Sequence, residues 1–154
     1  MPPVVLDDVR ELKEFVGREI NVTDWLRLDH KRIEQFAEAT EDRQWIHLDR
    51  ERASKESPYG TTIAHGFLTL SLASYFVREA IQIRGGVRMA VNYGLNRVRF
   101  PSPVRSESKI RARIALLTLK ELSDAVEVTF GVTIENEYSD KPCCVAEWIV
   151  RYYR

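Results

Sequence analysis

The second half of the chain contains three stretches in which apolar and polar residues alternate. The apolar positions are Ile110, Ala112, Ile114 and Leu116, then Val126, Val128, Phe130, Val132 and Ile134, and finally Ala146, Trp148, Val150 and Tyr152. An alternation of apolar and polar residues is typical of antiparallel strands that are buried on one face and exposed to solvent on the other. The sequence therefore predicts an antiparallel sheet whose apolar face needs a cover.

A long apolar stretch before these strands is the only segment large enough to be that cover. Its apolar residues fall on nearly all sides of a helix, which indicates burial on most sides. We predict a helix that is capped by Thr61 or Thr62, runs to about Arg84 and ends at Gly85-Gly86. Because polar and charged residues interrupt the stretch, we do not interpret it as a membrane span. A curved sheet wrapped around one helix belongs to the α+β class.

Capping residues and β-branched stretches predict shorter elements in the first half of the chain. They are a short helix that follows Asp7 or Asp8 and ends at Gly17, a strand over Glu19 to Leu28, and helices that begin after Asp29 and after Asp49. A further strand from about Val91 to Phe100 changes its apolar phase near Asn96, which indicates a β-bulge.

Length and charge limit the class of protein. The chain has 154 residues, with 23 Lys and Arg balanced by 23 Asp and Glu, and this length is typical of one domain, here residues 1–154. The balance argues against a nucleic-acid or anionic-membrane binder, which would carry a basic excess. The N-terminal segment lacks a signal-peptide pattern, so we expect a cytoplasmic protein. The adjacent Cys143 and Cys144 are expected to be buried or half-buried reduced thiols in a strand, and two thiols alone do not build a zinc site.

Three histidines are present, and one of them has a carboxylate close by in sequence. His30 follows the Asp29 cap and is expected to be solvated. Asp42 precedes His47 by five residues, and a carboxylate and an imidazole on one tight loop can hold a water for acid–base chemistry. The alternative is structural, with Asp42 making a turn bond and His47 packing on Trp45.

A glycine at the expected start of the long helix is a second candidate for chemistry. The first backbone N–H groups of a helix have no intrahelical partner, so the Gly66 amide can polarise a docked carbonyl oxygen. The alternative is that Gly66 permits close packing against a strand. The sequence contains no Gly-rich phosphate loop, no paired-cysteine metal motif and no G-x-S-x-G elbow.

Arginines gather in sequence around the strand that begins near Val91. They are Arg84, Arg88, Arg97, Arg99 and Arg105. As a set they are suited to the phosphates of a charged, cofactor-like substrate. Taken singly, each is better explained as an ordinary solvated arginine.

Three motifs resemble those of the MaoC-like (R)-specific enoyl-CoA hydratases. They are FAEATEDRQWIH over residues 36–47, followed after five residues by Ala53, then GTTIAHGFLTLS over residues 60–71, and NYGLNRVRFPSPV over residues 92–104. The sequence of the loop within residues 36–47 is most similar to that of the nodulation-protein-N-like branch of this family. The resemblance extends over roughly residues 10–153. It departs from the family pattern at Glu41, Gln44 and Trp45, where Gly, Asn and Pro are usual, and this leaves the length of the acyl chain open.

The resemblance implies a hot-dog fold, a homodimer and a site. Asp42 and His47 match the catalytic acid–base pair, Gly66 matches the glycine whose amide binds the thioester carbonyl, and Ser74 matches a position in the acyl pocket. Arg97 and Arg99 are the candidates for binding substrate phosphates. The reaction implied is (R)-specific hydration of a trans-2-enoyl-CoA and its reverse, with no metal or redox cofactor.

Two other functions are compatible with a chain of this kind. One is a non-catalytic hot-dog subunit that binds acyl thioesters or assembles with a partner. The other is a hot-dog thioesterase, which needs a carboxylate on the central helix, where Glu79 lies unfavourably near the C-terminal end. An acyl-carrier-protein thioester also remains open as the substrate, because it presents the same phosphopantetheine arm as CoA.

Overall fold

An antiparallel sheet with five strand positions dominates the computed structural model, which describes residues 1–154. Its order is β2–β6–β7–β8–β5, and β3 shares with β2 the position beside β6. The strands are β2 (Arg18–Val22), β3 (Leu26–Leu28), β5 (Met89–Arg99), β6 (Ser108–Glu121), β7 (Ala125–Asn136) and β8 (Cys144–Tyr153). The three alternating stretches of the sequence are β6, β7 and β8, so that prediction is confirmed.

The remaining elements are helices and two short strands outside this sheet. They are β1 (Val4–Leu6), a 3-10 helix (Val9–Phe15), α1 (His30–Thr40), α2 (Trp45–Leu48), α3 (Arg50–Glu56), α4 (Gly66–Ser71), α5 (Ala73–Ala80) and β4 (Ile81–Ile83). The carboxylates of Asp8, Asp29 and Asp49 each accept a backbone N–H at the start of the 3-10 helix, α1 and α3. These three predicted caps are therefore confirmed. No helix is both long enough and apolar enough to cross a membrane.

The sheet covers α4 and α5, which together form the central helix (Gly66–Ala80). Phe76 of α5 is fully buried in one apolar cluster with Phe130 of β7 and Leu116 of β6. Leu116, Phe130 and Trp148 lie side by side across three neighbouring strands. Removing a side chain of this size from water contributes about 1.5–3 kcal/mol, so this row fixes the helix against the concave face of the sheet.

The central helix is shorter at both ends than predicted. His65, not Thr61 or Thr62, occupies the N-cap, because residues 62–64 are extended and pair with residues 104–106. At the other end the helix stops at Ala80 rather than at Arg84, because Ile81–Ile83 forms a parallel ladder with β1. The helix is interrupted at Leu72, and Phe67 is 71% exposed, so the prediction that it is buried on nearly all sides holds only in part.

Two predicted strands differ in detail from the structure. The expected strand over Glu19 to Leu28 is divided into β2 and β3, because the regular ladder with β6 is broken after Thr23, which still donates its backbone N–H to Ala112 at 2.9 Å. The bulge expected near Asn96 is present as a register shift between Leu95 and Val98. β5 pairs only with β8, so its other edge carries no partner strand.

The two cysteines lie inside the sheet. Both are free and buried, and the Cys143 thiol donates to the Ile134 carbonyl at 3.2 Å. Burial raises the pKa of Cys143 to about 12 and that of Cys144 to about 11. The prediction of buried, unpaired thiols is confirmed.

Candidate active site

The loop between α1 and α2 carries Asp42 at an exposed position. Glu41 ends α1 in the left-handed conformation, with φ of 63°. The Arg43 guanidinium holds this turn, because it donates to Glu38 at 3.0 Å and also to the Glu41 carboxylate. Asp42 therefore lies on a turn that is constrained from both sides.

His47 is buried, and one of its ring nitrogens is already occupied. Its Nδ1 lies 2.7 Å from the Ile63 main-chain oxygen. A carbonyl oxygen only accepts, so the neutral ring carries its hydrogen on Nδ1 and leaves the Nε2 lone pair free. This tautomer has the form that a general base requires.

The structure brings the predicted pair together and adds a third side chain. One carboxylate oxygen of Asp42 and one ring nitrogen each of His47 and His65 lie within 4.8 Å of one another. Burial lowers the pKa of His47, and His65 lowers it further, against the opposing effects of the Ile63 carbonyl and the Asp42 charge. The lowered pKa favours the neutral, proton-accepting ring at neutral pH.

His65 contacts both members of this pair. Its ring stacks on His47 with centroids 3.8 Å apart and planes inclined by 23°, and its Nε2 lies 2.9 Å from the Asp42 main-chain oxygen. The sequence did not identify His65 as a site residue, because no local pattern relates it to Asp42.

Gly66 is the first residue of α4, as the amide role requires, and it also packs against the end of β5. A β-carbon at this position would lie 3.3 Å from three atoms of the Phe100 ring. Gly66, Ile63, Thr69 and Phe100 line one side of a cavity of about 220 Å³. Both interpretations of Gly66 from the sequence, an open amide and close packing, therefore have support in the structure.

Ser74 lies on α5 at a different cavity. This cavity, of about 400 Å³, is lined by Ser74 together with Phe67, Tyr93 and Trp148. The Ser74 hydroxyl accepts a bond from Arg78 at 3.2 Å. Gly66 and Ser74 thus do not line the same cavity in this chain.

The arginines of the β5 region have separate surroundings. Arg97 and Arg99 are exposed on β5, and Arg99 donates to the Val98 carbonyl at 2.7 Å. Arg84 pairs with Asp7 at 3.5 Å, and Arg105 lies over the Tyr138 ring at 5.0 Å. Arg97 and Arg99 therefore remain candidates for a phosphate, as does Arg88, which is also exposed and has no acidic partner.

The prediction that His30 is solvated is wrong. His30 is only 5% exposed, because Thr62 and Glu107, both distant in sequence, fold over the start of α1. Its Nε2 lies 3.1 Å from Glu34, and its backbone N–H donates to Glu107 at 3.1 Å.

The position of Trp45 also differs from the structural alternative for His47. The Arg52 guanidinium lies 4.1 Å from the centre of the Trp45 ring, and the stacking partner of His47 is His65.

Comparisons with known proteins identify the family. A model of the MaoC-like domain matches residues 11–137. The chain is 44% identical to 3-hydroxyacyl-thioester dehydratase Z of Mycobacterium tuberculosis over 95% of this chain and 96% of the relative. It is 41% identical to nodulation protein N of Rhizobium meliloti, over 97% and 91% of the two chains.

A solved R-hydratase from Pseudomonas aeruginosa has the same hot-dog fold. It superposes with a TM-score of 0.70 at 21% identity, over 90% of this chain and 82% of that one. The predicted α+β hot-dog fold is therefore confirmed. The family match and the two relatives show that the chain belongs to the MaoC-like dehydratase family.

Proposed function

We propose that the protein catalyses the (R)-specific hydration of a trans-2-enoyl-CoA to an (R)-3-hydroxyacyl-CoA, and the reverse dehydration. One observation carries this proposal. The buried His47 ring donates from Nδ1 to Ile63 at 2.7 Å, which leaves its Nε2 free to accept a proton, and one of its ring nitrogens lies within 4.8 Å of an Asp42 carboxylate oxygen. A base and a carboxylate around one small space are what the addition of water to a double bond requires.

In the hydration direction, Asp42 and His47 hold the water between them. Nε2 of His47 takes a proton as the water oxygen bonds to C3 of the enoyl group, and the electrons of the double bond move toward the thioester carbonyl. The Gly66 amide, at the positive end of the central helix, stabilises the charge on that oxygen. A proton is returned to C2 from the pair, with Asp42 sharing in the transfer. The thioester itself acidifies C2, so this sequence of steps needs no metal or redox cofactor.

The names of the relatives support this class of reaction. The relative from Mycobacterium tuberculosis is a 3-hydroxyacyl-thioester dehydratase by name and matches nearly the full length of this chain. A 3-hydroxybutyryl-CoA dehydratase of Methylorubrum extorquens is 31% identical over 70% of this chain. Dehydration of a 3-hydroxyacyl thioester is the reverse of the proposed hydration.

The thioesterase alternative finds little support in the central helix. Its only carboxylate is Glu79, which is exposed one residue before the end of α5. No acidic side chain of this helix therefore adjoins Gly66. A non-catalytic binding subunit would not need a proton-accepting nitrogen, so this alternative does not explain why Nε2 of His47 is free.

We further propose that the substrate is carried by CoA and that the protein is a homodimer. Arg97 and Arg99, exposed on β5, are the proposed partners of the CoA phosphates. The unpaired edge of β5 exposes Val91, Tyr93 and Leu95 to solvent, and an exposed apolar edge strand favours pairing with another chain.

The test is the loss of enoyl-thioester ultraviolet absorbance when purified protein is mixed with crotonyl-CoA and with a longer trans-2-enoyl-CoA. We expect turnover to the (R)-alcohol, by chiral analysis, and losses of at least about 100-fold in Asp42→Asn and in His47→Ala. The same acyl groups on acyl-carrier protein determine which carrier is preferred.

Two outcomes contradict the proposal, and they differ from each other. A folded protein that binds acyl-CoA but turns over neither CoA nor carrier-protein thioesters is a binding subunit. Release of free CoA, detected with a thiol reagent, without change in the double bond indicates a thioesterase.

A further inference from the structure

One buried polar group is used neither by the fold nor by the proposed reaction. Among buried side chains, the Nδ1 atom of His65 is the single nitrogen or oxygen without a hydrogen-bond partner. His65 is 3% exposed. An unpaired buried acceptor destabilises a fold, so stability alone does not explain a histidine at this position.

The other nitrogen of His65 fixes the orientation of its ring. Nε2 lies 2.9 Å from the Asp42 main-chain oxygen, which only accepts, so the neutral ring carries its hydrogen on Nε2. This bond joins the N-cap of the central helix to the turn that carries Asp42. The turn is otherwise held by the exposed Arg43.

The faces of the same ring lie between two other aromatic groups. His47 stacks on it at 3.8 Å between centroids, and the Phe36 ring of α1 lies 4.9 Å away at an angle of 54°. The His47 ring is therefore restrained twice. Its Nδ1 edge is hydrogen-bonded to the Ile63 carbonyl, and one of its faces is stacked on His65.

We propose that His65 is a positioning residue that sets the distance between the Asp42 carboxylate and His47 Nε2. Its Nε2–H holds the main chain of Asp42, and its ring face holds the ring of His47. Through these two contacts a single side chain determines the space in which the water is held. This inference rests on the proposed function, because it assigns a role toward the same pair.

Three substitutions separate the two contacts. Leucine at position 65 removes both, glutamine keeps a donor near the Nε2 position, and phenylalanine keeps a ring against His47. We expect His65→Leu to lower kcat by about 100-fold, with KM within about threefold of the wild type, because displacement of reacting groups by about 1 Å has effects of this size. His65→Gln and His65→Phe should each recover about tenfold of this loss.

The matched control is His30→Gln, which changes another buried histidine that contacts neither Asp42 nor His47. We expect its kcat to equal that of the wild type. Equal kcat values for His65→Leu and His30→Gln, or a loss confined to KM, would overturn the proposal. So would a loss of kcat that tracks a loss of thermal stability across all the variants.

A second measurement does not depend on enzymatic activity. Two-bond ¹H–¹⁵N spectra should place the hydrogen of neutral His65 on Nε2 and that of His47 on Nδ1. Amide signals of residues 41–47 should shift or broaden in His65→Leu and remain unchanged in His30→Gln. If the wild type turns over no thioester, the proposed function fails, and these spectra still decide whether His65 positions the pair. Unchanged signals in His65→Leu would refute the role of His65.

Discussion

The Phe100 ring lies directly against the α-carbon of Gly66. A β-carbon on Gly66 would be 3.3 Å from three ring atoms, closer than an ordinary van der Waals contact. The start of the central helix is therefore held at a fixed distance from the end of β5. Phe100 is 41% exposed, so the ring has room to move outward when it is pushed.

Gly66→Ala tests what this close approach does for catalysis. The added methyl group pushes Phe100 and shifts the amide that we propose for the thioester oxygen, while the better helix propensity of alanine offsets much of the packing strain. We expect kcat/KM to fall about tenfold and the free energy of unfolding to change by about 1 kcal/mol or less. Adding Phe100→Leu should restore most of the activity. An inactive double variant that is fully folded would contradict this explanation.

The pH dependence of kcat/KM should report the His47 ring. Burial lowers its pKa from the ordinary value of 6.5, so the ring loses its proton at a lower pH than a free imidazole does. We expect the acidic limb of the hydration profile to have its midpoint below 6.5 and activity to be constant through neutral pH. A midpoint above 6.5 would contradict the lowered pKa of the His47 ring and indicate that its charged form is stabilised in the free enzyme.

The same lowered pKa has a consequence for folding. Between the folded pKa and 6.5, the unfolded chain binds a proton on His47 that the folded chain does not bind, so stability rises with pH in this window. The contribution is fully present above 6.5 and is lost as the pH falls toward the folded pKa. Each unit of lowering corresponds to about 1.4 kcal/mol. Urea unfolding of His47→Gln should show a weaker fall in stability below pH 6.5 than the wild type shows.

Arg97 and Arg99 are expected to contact the phosphates of the substrate. In Arg97→Gln with Arg99→Gln, we expect KM for an enoyl-CoA to rise about tenfold with kcat unchanged, because only uniform binding is removed. A thioester of pantetheine without phosphates should show no difference. Arg84→Gln, in which the changed residue pairs with Asp7, is the matched control. An equal rise in KM for both thioesters would place these arginines away from the phosphates.

Pairing of β5 with a second copy predicts how the oligomer responds to charge. Val91→Glu and Leu95→Glu place carboxylates on an exposed apolar edge, where two copies would bring like charges together. We expect light scattering to give a dimer for the wild type and a monomer for the double variant. Val5→Glu changes an equally exposed apolar residue outside the main sheet and should remain dimeric. A wild-type monomer, or a double variant that stays dimeric, would exclude this edge as the interface.

What the sequence predicted correctly depends on local patterns. The strands β6, β7 and β8 could be predicted from the alternation of apolar and polar residues, because successive side chains of a strand point to opposite faces of the sheet. The caps at Asp29 and Asp49 follow from bonds to the next turn of the chain. The proximity of Asp42 and His47 was predicted because only five positions separate them in the sequence.

What the sequence did not predict depends on distant contacts. The end of the central helix was placed too late, because Ile81 and Ile83 pair with β1 at the other end of the chain. His30 was expected to be solvated, because Glu107 and Thr62 cover it only after folding. The contact of His65 with Asp42 joins residues 23 positions apart, and no spacing rule predicts it.

Both hydrogen bonds that orient the imidazoles of the site end on main-chain carbonyls, those of Ile63 and Asp42. A substitution at position 63 changes the wall of the adjoining cavity but cannot delete the acceptor that His47 uses. Variation in the side chains of this cavity wall is thus separated from the orientation of the two imidazoles. A chain built in this way can change the shape of the cavity while the orientation of its two histidines is preserved.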